Sequence, residues 1–159
     1  MSWSTPDLCD ASAEVRCPCV PWRNFGGRSQ FRGRALTVLC YEDNSRVKEA
    51  VQEPGDGRVL VVDGGGSLRH ALLGDQLADR AAGNGWAGLV IYGAVRDVDD
   101  LARIDLGIKA LGQCPRRSER RGQGVVGVPV TIGGATIEPG AHVYADNNGV
   151  VVSERALVP

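Results

Sequence analysis

Two uninterrupted apolar runs mark the middle of the chain, RVLVVDG at 58–64 and AGLVIYG at 87–93. A strand with one wet face alternates polar and apolar residues. These runs do not alternate, so both are predicted as strands covered on two faces. A third β-rich run, RALTVLCYE at 34–42, precedes them. In SRVKEAVQE, 45–53, Val47, Ala50 and Val51 fall at helical spacing behind Ser45 as N-cap, with Asp43 and Asn44 read as leading into the helix, and Pro-Gly-Asp-Gly at 54–57 stops it. Thr5, Pro6 and Asp7 read as the cap, first position and first turn of a short N-terminal helix.

The stretch between the two apolar runs allows one helix from Ser67 to Ala82, or a break at Gly74 followed by a helix with Asp75 as N-cap. The break is preferred, because Gly is poor inside a helix and Asp is good just before one. Leu77, Ala78, Ala81 and Ala82 then form the packing face, and GNG at 83–85 ends it. DVDDLARI reads as a short helical turn and GIKALGQCP as a strand leaving the core. From Val125 the pattern becomes short β segments, VPVTIGG, ATIEPGA, HVYADNNG and VVVSE, separated by Gly133-Gly134, Pro139-Gly140 and Asn147-Asn148-Gly149. The expectation is an α/β first half feeding a mostly β second half within one domain, 1–159.

Composition narrows the function classes. The 159 residues suit one domain with a real core. A net charge of −1 gives no general attraction to nucleic acid or to anionic membrane. No basic segment leads into an apolar run at the N-terminus, and no stretch reaches the roughly 18 apolar residues of a membrane span. Five cysteines without such a leader suit free thiols and a cytoplasmic setting. Cys17-Pro-Cys19 lacks a second ligand pair at zinc spacing. VDGGGSLR lacks the placement of a dinucleotide loop and the Gly-Lys-Ser/Thr of a phosphate loop, so its glycines are assigned to a tight crossing near a pocket or subunit contact.

His70 and His142 read as ordinary, partly buried histidines, Trp22 and Trp86 as packing anchors, and Trp3 as part of a mobile terminus. Asp63 is assigned to capping the turn after its strand, and Asp146 to holding a hairpin. The basic stretch PRRSERRGQG, 115–124, is read as a solvated loop in preference to an anion or RNA contact.

The charge that follows the second apolar run carries the candidate chemistry. Arg96, Asp97, Asp99 and Asp100 come directly after VIYGAV, and twenty residues separate Asp75 from Arg96. A helix and a return strand fill such a gap, which would bring both corners to one rim of the sheet. Unpaired amides of Asp75, Gln76 and Leu77 at a helix start suit a carboxylate. Arg96 adds a bidentate cation, and Asp97 is a hard oxygen ligand for Mg²⁺ or Mn²⁺. The bare spacing also describes an Arg96–Asp97 or Arg96–Asp100 surface pair with Asp75 as a plain cap, and taken alone it favours that reading. Lys48 and Lys109 are the only lysines. Neither is placed as an activated amine, so a metal is a simpler electron sink than an imine.

The blocks NFGGRSQFRG, GRVLVVDGGGSLRHALL, NGWAGLVIYGAVRDVDDL, DLGIKALG and HVYADNNGVVVSE together resemble the regulator of ribonuclease activity A family (RraA-like), which is related to metal-dependent 4-hydroxy-4-methyl-2-oxoglutarate aldolases. The likeness runs from Asp7 to Glu154, and 58–101 is its specific part. It implies a compact α/β/β sandwich resembling the swivelling phosphohistidine domain, assembled as a homotrimer with sites between subunits. It implies that Gly74, Asp75, Gln76, Leu77 and Arg96 bind substrate, that Arg96 and Asp75 serve catalysis, and that Asp97 binds a divalent cation, with Asp75 and Asp100 reaching it through water. The implied reaction is retro-aldol cleavage of 4-hydroxy-4-methyl-2-oxoglutarate to two pyruvates, with oxaloacetate decarboxylation through the same pyruvate enolate. The resemblance assigns no proton donor here, because the longer aldolases draw an acid from extra C-terminal sequence. Its alternative implication is a non-catalytic regulator that inhibits an endoribonuclease of the ribonuclease E type. Family members have also carried a menaquinone methyltransferase name, but the chain shows no S-adenosylmethionine motif.

Overall fold

The computed structural model describes residues 2–159. In chain order the elements are α1 (Thr5–Ala11), β1 (Arg23–Asn24), β2 (Phe31–Leu39), α2 (Ser45–Gln52), β3 (Val59–Asp63), β4 (Ala71–Leu73), α3 (Asp75–Gly83), β5 (Gly88–Val95), α4 (Val98–Leu101) and β6 (Gly107–Gln113). The β-rich remainder holds β7 (Val125–Val126), β8 (Val130–Ile132), β9 (Ala135–Ile137), β10 (His142–Asp146) and β11 (Gly149–Ser153).

One sheet runs in the order β1-β6-β5-β3-β2-β10-β11, and its centre is parallel. The two apolar runs are its middle strands. Residues 59–62 of β3 and 88–91 of β5 are buried on both faces, as their unbroken hydrophobicity requires. β2 is the hinge of the architecture. Phe31–Arg34 pair antiparallel with β10, while Ala35–Leu39 pair parallel with β3. The sheet therefore curls, and its antiparallel end folds over the face away from the helices.

Two cores follow. On one face Val47, Val51, Leu77, Ala78 and Ala81 of α2 and α3 pack against Leu60, Val62, Leu89 and Ile91. On the other, Val59, Val61 and Val90 meet Val130 and Ile132 of β8, Ile137 of β9, and Val143, Val150 and Val152 of the terminal hairpin. Each fully buried aliphatic side chain contributes about 1.5–3 kcal/mol. Phe31 enters the second core over two paired glycines. A Cβ on Gly88 or Gly107 would lie 2.5 or 2.0 Å from its ring, so only bare backbone leaves room.

Several expectations are corrected. The three helices begin one residue away from the caps assigned to them. Ser4 caps α1, because Thr5 gives both its amide and its hydroxyl to Asp146, at 2.7 Å each. Asn44 precedes α2, and Ser45 is inside it, held by Asp43 Oδ1 through its amide at 2.8 Å and its hydroxyl at 2.6 Å. Gly74 precedes α3, and Asp75 is its first residue. Trp3 packs edge-on against Tyr144 with ring centroids 5.5 Å apart, so it is docked and not part of a loose end. The GIKALGQ segment does not leave the core: residues 107–110 are buried between β5 and β1. The assignments of Asp63 and Asp146 hold, since Asp63 accepts from the Gly65 amide at 3.0 Å and Asp146 from the Asn148 amide at 2.8 Å. Gly64 and Gly66 both donate to the Tyr92 carbonyl, which is the expected tight crossing.

Candidate functional site

The two charged corners meet. β4 pairs parallel with the end of β5, Ala71 beside Ala94 and Leu73 beside Val95, so both chains leave the sheet at the same height and on the same side. The Arg96 amide donates to the Leu73 carbonyl at 2.9 Å, which clamps one corner to the other. Asp97 then adopts left-handed backbone, φ 58° and ψ 42°, a conformation that Asp tolerates better than most residues. This turn carries its carboxylate over Gly74, where Oδ2 accepts from the Asp75 amide at 3.0 Å. Asp97 thus caps α3 from outside, with the positive end of the helix dipole beneath its charge. Gly74 is what allows the approach: a Cβ there would stand 2.7 Å from Asp97 Oδ2 and 3.4 Å from Arg96 Nε.

The Asp75 carboxyl lies beside that of Asp97. Its pKa is raised by burial first, then by the hydrogen bond with Asp97 and by the charges of Asp97 and Asp100, against the Gln76 amide that lowers it. Two facing carboxylates without an ion-pair partner among the described residues suit a divalent cation, which removes their mutual repulsion. No group of three or more His, Cys, Asp or Glu converges as a complete ligand set among the described residues. The donor set therefore fits a cation that keeps several waters, as Mg²⁺ does, and does not fit a closed cage.

Gly74, Asp75, Gln76, Leu77, Arg96 and Asp97 all line one cleft of about 680 Å³. Asp100 does not line it, and its nearest cation is Arg103 at 3.5 Å. The alternative Arg96–Asp97 and Arg96–Asp100 surface pairs do not form among the described residues. One expectation changes: the Asp75 amide, assigned to a substrate carboxylate, is already occupied by Asp97.

The rest of the lining comes from residues that sequence reasoning did not assign to the site. Asn44, which precedes α2, and Lys48 within it line the cleft, as do Arg80 of α3 and Arg117 and Arg120 of the basic segment. Asn44 Nδ2 donates to the Leu72 carbonyl at 3.1 Å, and its Oδ1 accepts from Arg120 Nε at 3.0 Å. The basic segment 115–124 is not simply a solvated loop. Ala71 donates its amide to Arg116 at 2.7 Å, Ser118 Oγ donates to the Ala71 carbonyl at 2.8 Å, and His70 Nδ1 lies 3.0 Å from the Arg117 carbonyl. Asp43 fastens its far end by accepting from the Arg121 and Gln123 amides at 2.7 and 3.2 Å. Burial pushes the Asp43 carboxyl up, but these bonds and those from Ser45 outweigh it and hold it down at about 2. Lys109 is buried in β6 beside Val90, on the face away from the cleft, where desolvation lowers its pKa against the pull of Asp146. The signal for the missed lining was the density of arginine in 115–124; nothing in the spacing showed that this segment bridges to β4.

Lys48, Arg80, Arg96, Arg117 and Arg120 bring more positive charge to the cleft than Asp75, Asp97 and Glu119 bring negative. A site with a cation-ready carboxylate pair inside an otherwise basic rim suits a small, multiply anionic ligand.

Known proteins share the sequence and the fold. A protein of Ectopseudomonas mendocina named "Putative 4-hydroxy-4-methyl-2-oxoglutarate aldolase" is 58% identical over 158 residues, 99% of this chain and 98% of its own. The crystal structure of a Geobacillus kaustophilus protein described as an S-adenosylmethionine:2-dimethylmenaquinone methyltransferase superposes with a TM-score of 0.95 at 44% identity, covering 98% of this chain and 97% of that one. The RNA-processing inhibitor RraA of Thermus thermophilus superposes with a TM-score of 0.94, also at 44% identity, over 98% and 94% of the two chains. The family model for RraA-like proteins, Aldolase/RraA, matches residues 5–152. The chain belongs to the RraA-like family.

Proposed function

We propose that the protein is a divalent-metal-dependent lyase that cleaves 4-hydroxy-4-methyl-2-oxoglutarate into two pyruvates and decarboxylates oxaloacetate as a secondary reaction. The observation that carries this reading is the meeting of the two corners, with Asp97 Oδ2 3.0 Å from the Asp75 amide and Arg96 clamped to Leu73. The name of the 58% identical relative supports the same substrate.

Asp97 would hold the cation, with Asp75 and the more distant Asp100 reaching it through water. When bound, Mg²⁺ or Mn²⁺ supplies the Lewis acidity that polarises a 2-oxo group and stabilises a pyruvate enolate. Arg96 binds and orients the substrate's 1-carboxylate and 2-oxo end with its planar fork. Gly74, Gln76 and Leu77 shape the start of α3 against that carboxylate. Asp75, beside Asp97 at the start of α3, serves the proton transfers of the reaction; its pKa is raised by burial and by Asp97 in the protein without the cation, and a bound cation lowers it again. The surplus of positive side chains lining the cleft suits the second carboxylate of a dianionic 2-oxo acid. The exposed apolar side chains Leu39, Val125 and Val126 form one edge, which suits the homotrimer included in this reading, as is a cytoplasmic location. Among the described residues no helix is long and apolar enough to cross a membrane.

Pyruvate release from 4-hydroxy-4-methyl-2-oxoglutarate and from oxaloacetate, followed with and without chelator, tests the proposal. Turnover is expected only with Mg²⁺ or Mn²⁺ and is expected to vanish in Arg96→Ala and Asp97→Ala. Metal-independent turnover, or full activity in Asp97→Ala, rejects it. The fold shared with the Thermus inhibitor favours a second reading, a regulator that inhibits an endoribonuclease through its outer surface. That role predicts nuclease association that survives both chelation and Asp97→Ala.

A further inference from the structure

We propose that Cys9 and Cys17 are a modification site: they close into a reversible intramolecular disulfide by exchange with a low-molecular-weight disulfide. Their Sγ atoms stand 3.6 Å apart, and both residues are exposed. An S–S bond is about 2.0 Å long, so closure asks for a sulfur movement within the reach of small side-chain rotations.

Both backbones are held independently of the sulfurs. Cys9 rides on α1, which is fixed by Thr5 on Asp146 and by Leu8 packing against Tyr144 and Val151. Cys17 follows Arg16, whose amide and carbonyl both pair with Val152, at 2.9 and 2.8 Å. The terminal hairpin β10–β11 therefore sets the spacing of the pair from two sides. Of the three other cysteines, Cys40 is buried, the Cys114 thiol donates to the Arg69 carbonyl at 3.2 Å, and Cys19 is exposed with its amide on the Gly133 carbonyl at 3.2 Å.

The exchange balances without a further reagent. The Cys9 thiolate attacks one sulfur of the small disulfide, whose S–S bond breaks and expels one small thiolate. Cys17 then loses its proton and attacks Cys9 Sγ in the mixed disulfide, forming the protein S–S bond and expelling the second small thiolate. Two protein thiols and one small disulfide become one protein disulfide and two small thiols. Two electrons pass to the reagent, and both protons end on the released thiols. Burial, then the hydrogen bond and charge of Cys9 and the charge of Cys19, push the Cys17 thiol up to about 11; both sulfurs are exposed, and the exchange balances in the same way whichever of them meets the reagent first.

Closure would staple α1 to the strand extension at Arg16, on the outer side of the β10–β11 hairpin. Tyr144 and Val151 face α1 there, whereas Val143, Val150 and Val152 face the inner core. The cleft at Gly74 and Asp97 lies beyond that core.

The test equilibrates the reduced full-length protein with oxidised and reduced glutathione over a range of ratios, then traps it with acid and alkylates it. The expected product is a monomeric chain lighter by about 2 Da, with a Cys9–Cys17 peptide in the non-reducing map and full reversal by dithiothreitol. Hydrogen exchange of the α1 amides is expected to slow by about tenfold or more on oxidation in the wild type and in Cys19→Ser, and to stay unchanged in Cys9→Ser. The folded state of each variant is checked by its unfolding transition. A mixed disulfide that persists at Cys9, a Cys9–Cys19 bridge, a disulfide between chains, or thiols that stay reduced at every ratio would each overturn the proposal. None of these readouts depends on the lyase reaction.

Discussion

Gly74 shows how one residue can matter to the site without mattering much to the fold. The atom nearest a Cβ at this position is Asp97 Oδ2, the end of a side chain that can swing away. Gly74→Ala is therefore expected to lower pyruvate release by about 100-fold through displacement of that carboxylate, while stability in denaturant changes by less than about 1 kcal/mol. A large loss of stability with normal turnover would contradict this. Lys48 raises the other residue-scale question, because it lines the cleft and an imine mechanism would need a lysine there. Borohydride added with pyruvate is expected to leave the protein mass unchanged; a reduced adduct on Lys48 would favour the imine route. One helix and one strand between the two charged corners let the sequence bring Asp75, Arg96 and Asp97 to one rim, but that spacing alone favoured a surface ion pair, and the likeness of 58–101 to the RraA-like family carried the reading of a site. Lys48 was not, because helical spacing identifies the buried face through Val47 and Val51 and is silent about what lies beside the remaining residues.

At the scale of elements, the basic lining of the cleft depends on how 115–124 is fastened. Asp43 is nearly buried and accepts from Ser45, Arg121 and Gln123, so its carboxylate ties the start of α2 to the end of that segment. Its folded pKa of about 2 lies below the unfolded value of about 3.9. A depressed carboxylate contributes stability that is fully present above the unfolded pKa and is lost as pH falls through the folded one. Stability is thus expected to decline between about pH 5 and 2, and Asp43→Asn is expected to be less stable at neutral pH with a shallower acid decline. Urea unfolding at several pH values measures this; parallel curves for the two proteins would contradict it. The helices and inner strands were legible from periodicity and unbroken apolar runs, but their caps shifted by one residue where another carboxylate engages the residue assigned to the cap, as Asp146 does Thr5, Asp43 does Ser45 and Asp97 does Asp75. The docking of Ser118 and Arg116 on Ala71 is a contact 45 or more residues long in sequence and leaves no local pattern.

For the whole molecule, the decisive feature is the division of labour across the curled sheet. Helices cover one face and end at the cleft; the antiparallel half closes the other face and holds α1. The mixed α/β character and the change at Val125 were legible in the sequence, because the hydrophobic pattern switches from long buried runs to short segments between turns. The curl was not, since it depends on β2 passing from β10 to β3 along one nine-residue strand and on Phe31 lying over Gly88 and Gly107. The central claim is that the corners at 74–77 and 96–97 jointly hold a cation and a 2-oxo acid. The measurement that tests it most directly is Mn²⁺ binding, followed by electron paramagnetic resonance, with and without oxalate as a stand-in for the pyruvate enolate. One ion per chain, bound more tightly with oxalate and lost in Asp97→Ala, is the predicted result; binding that is absent, or unchanged in Asp97→Ala, would contradict the account.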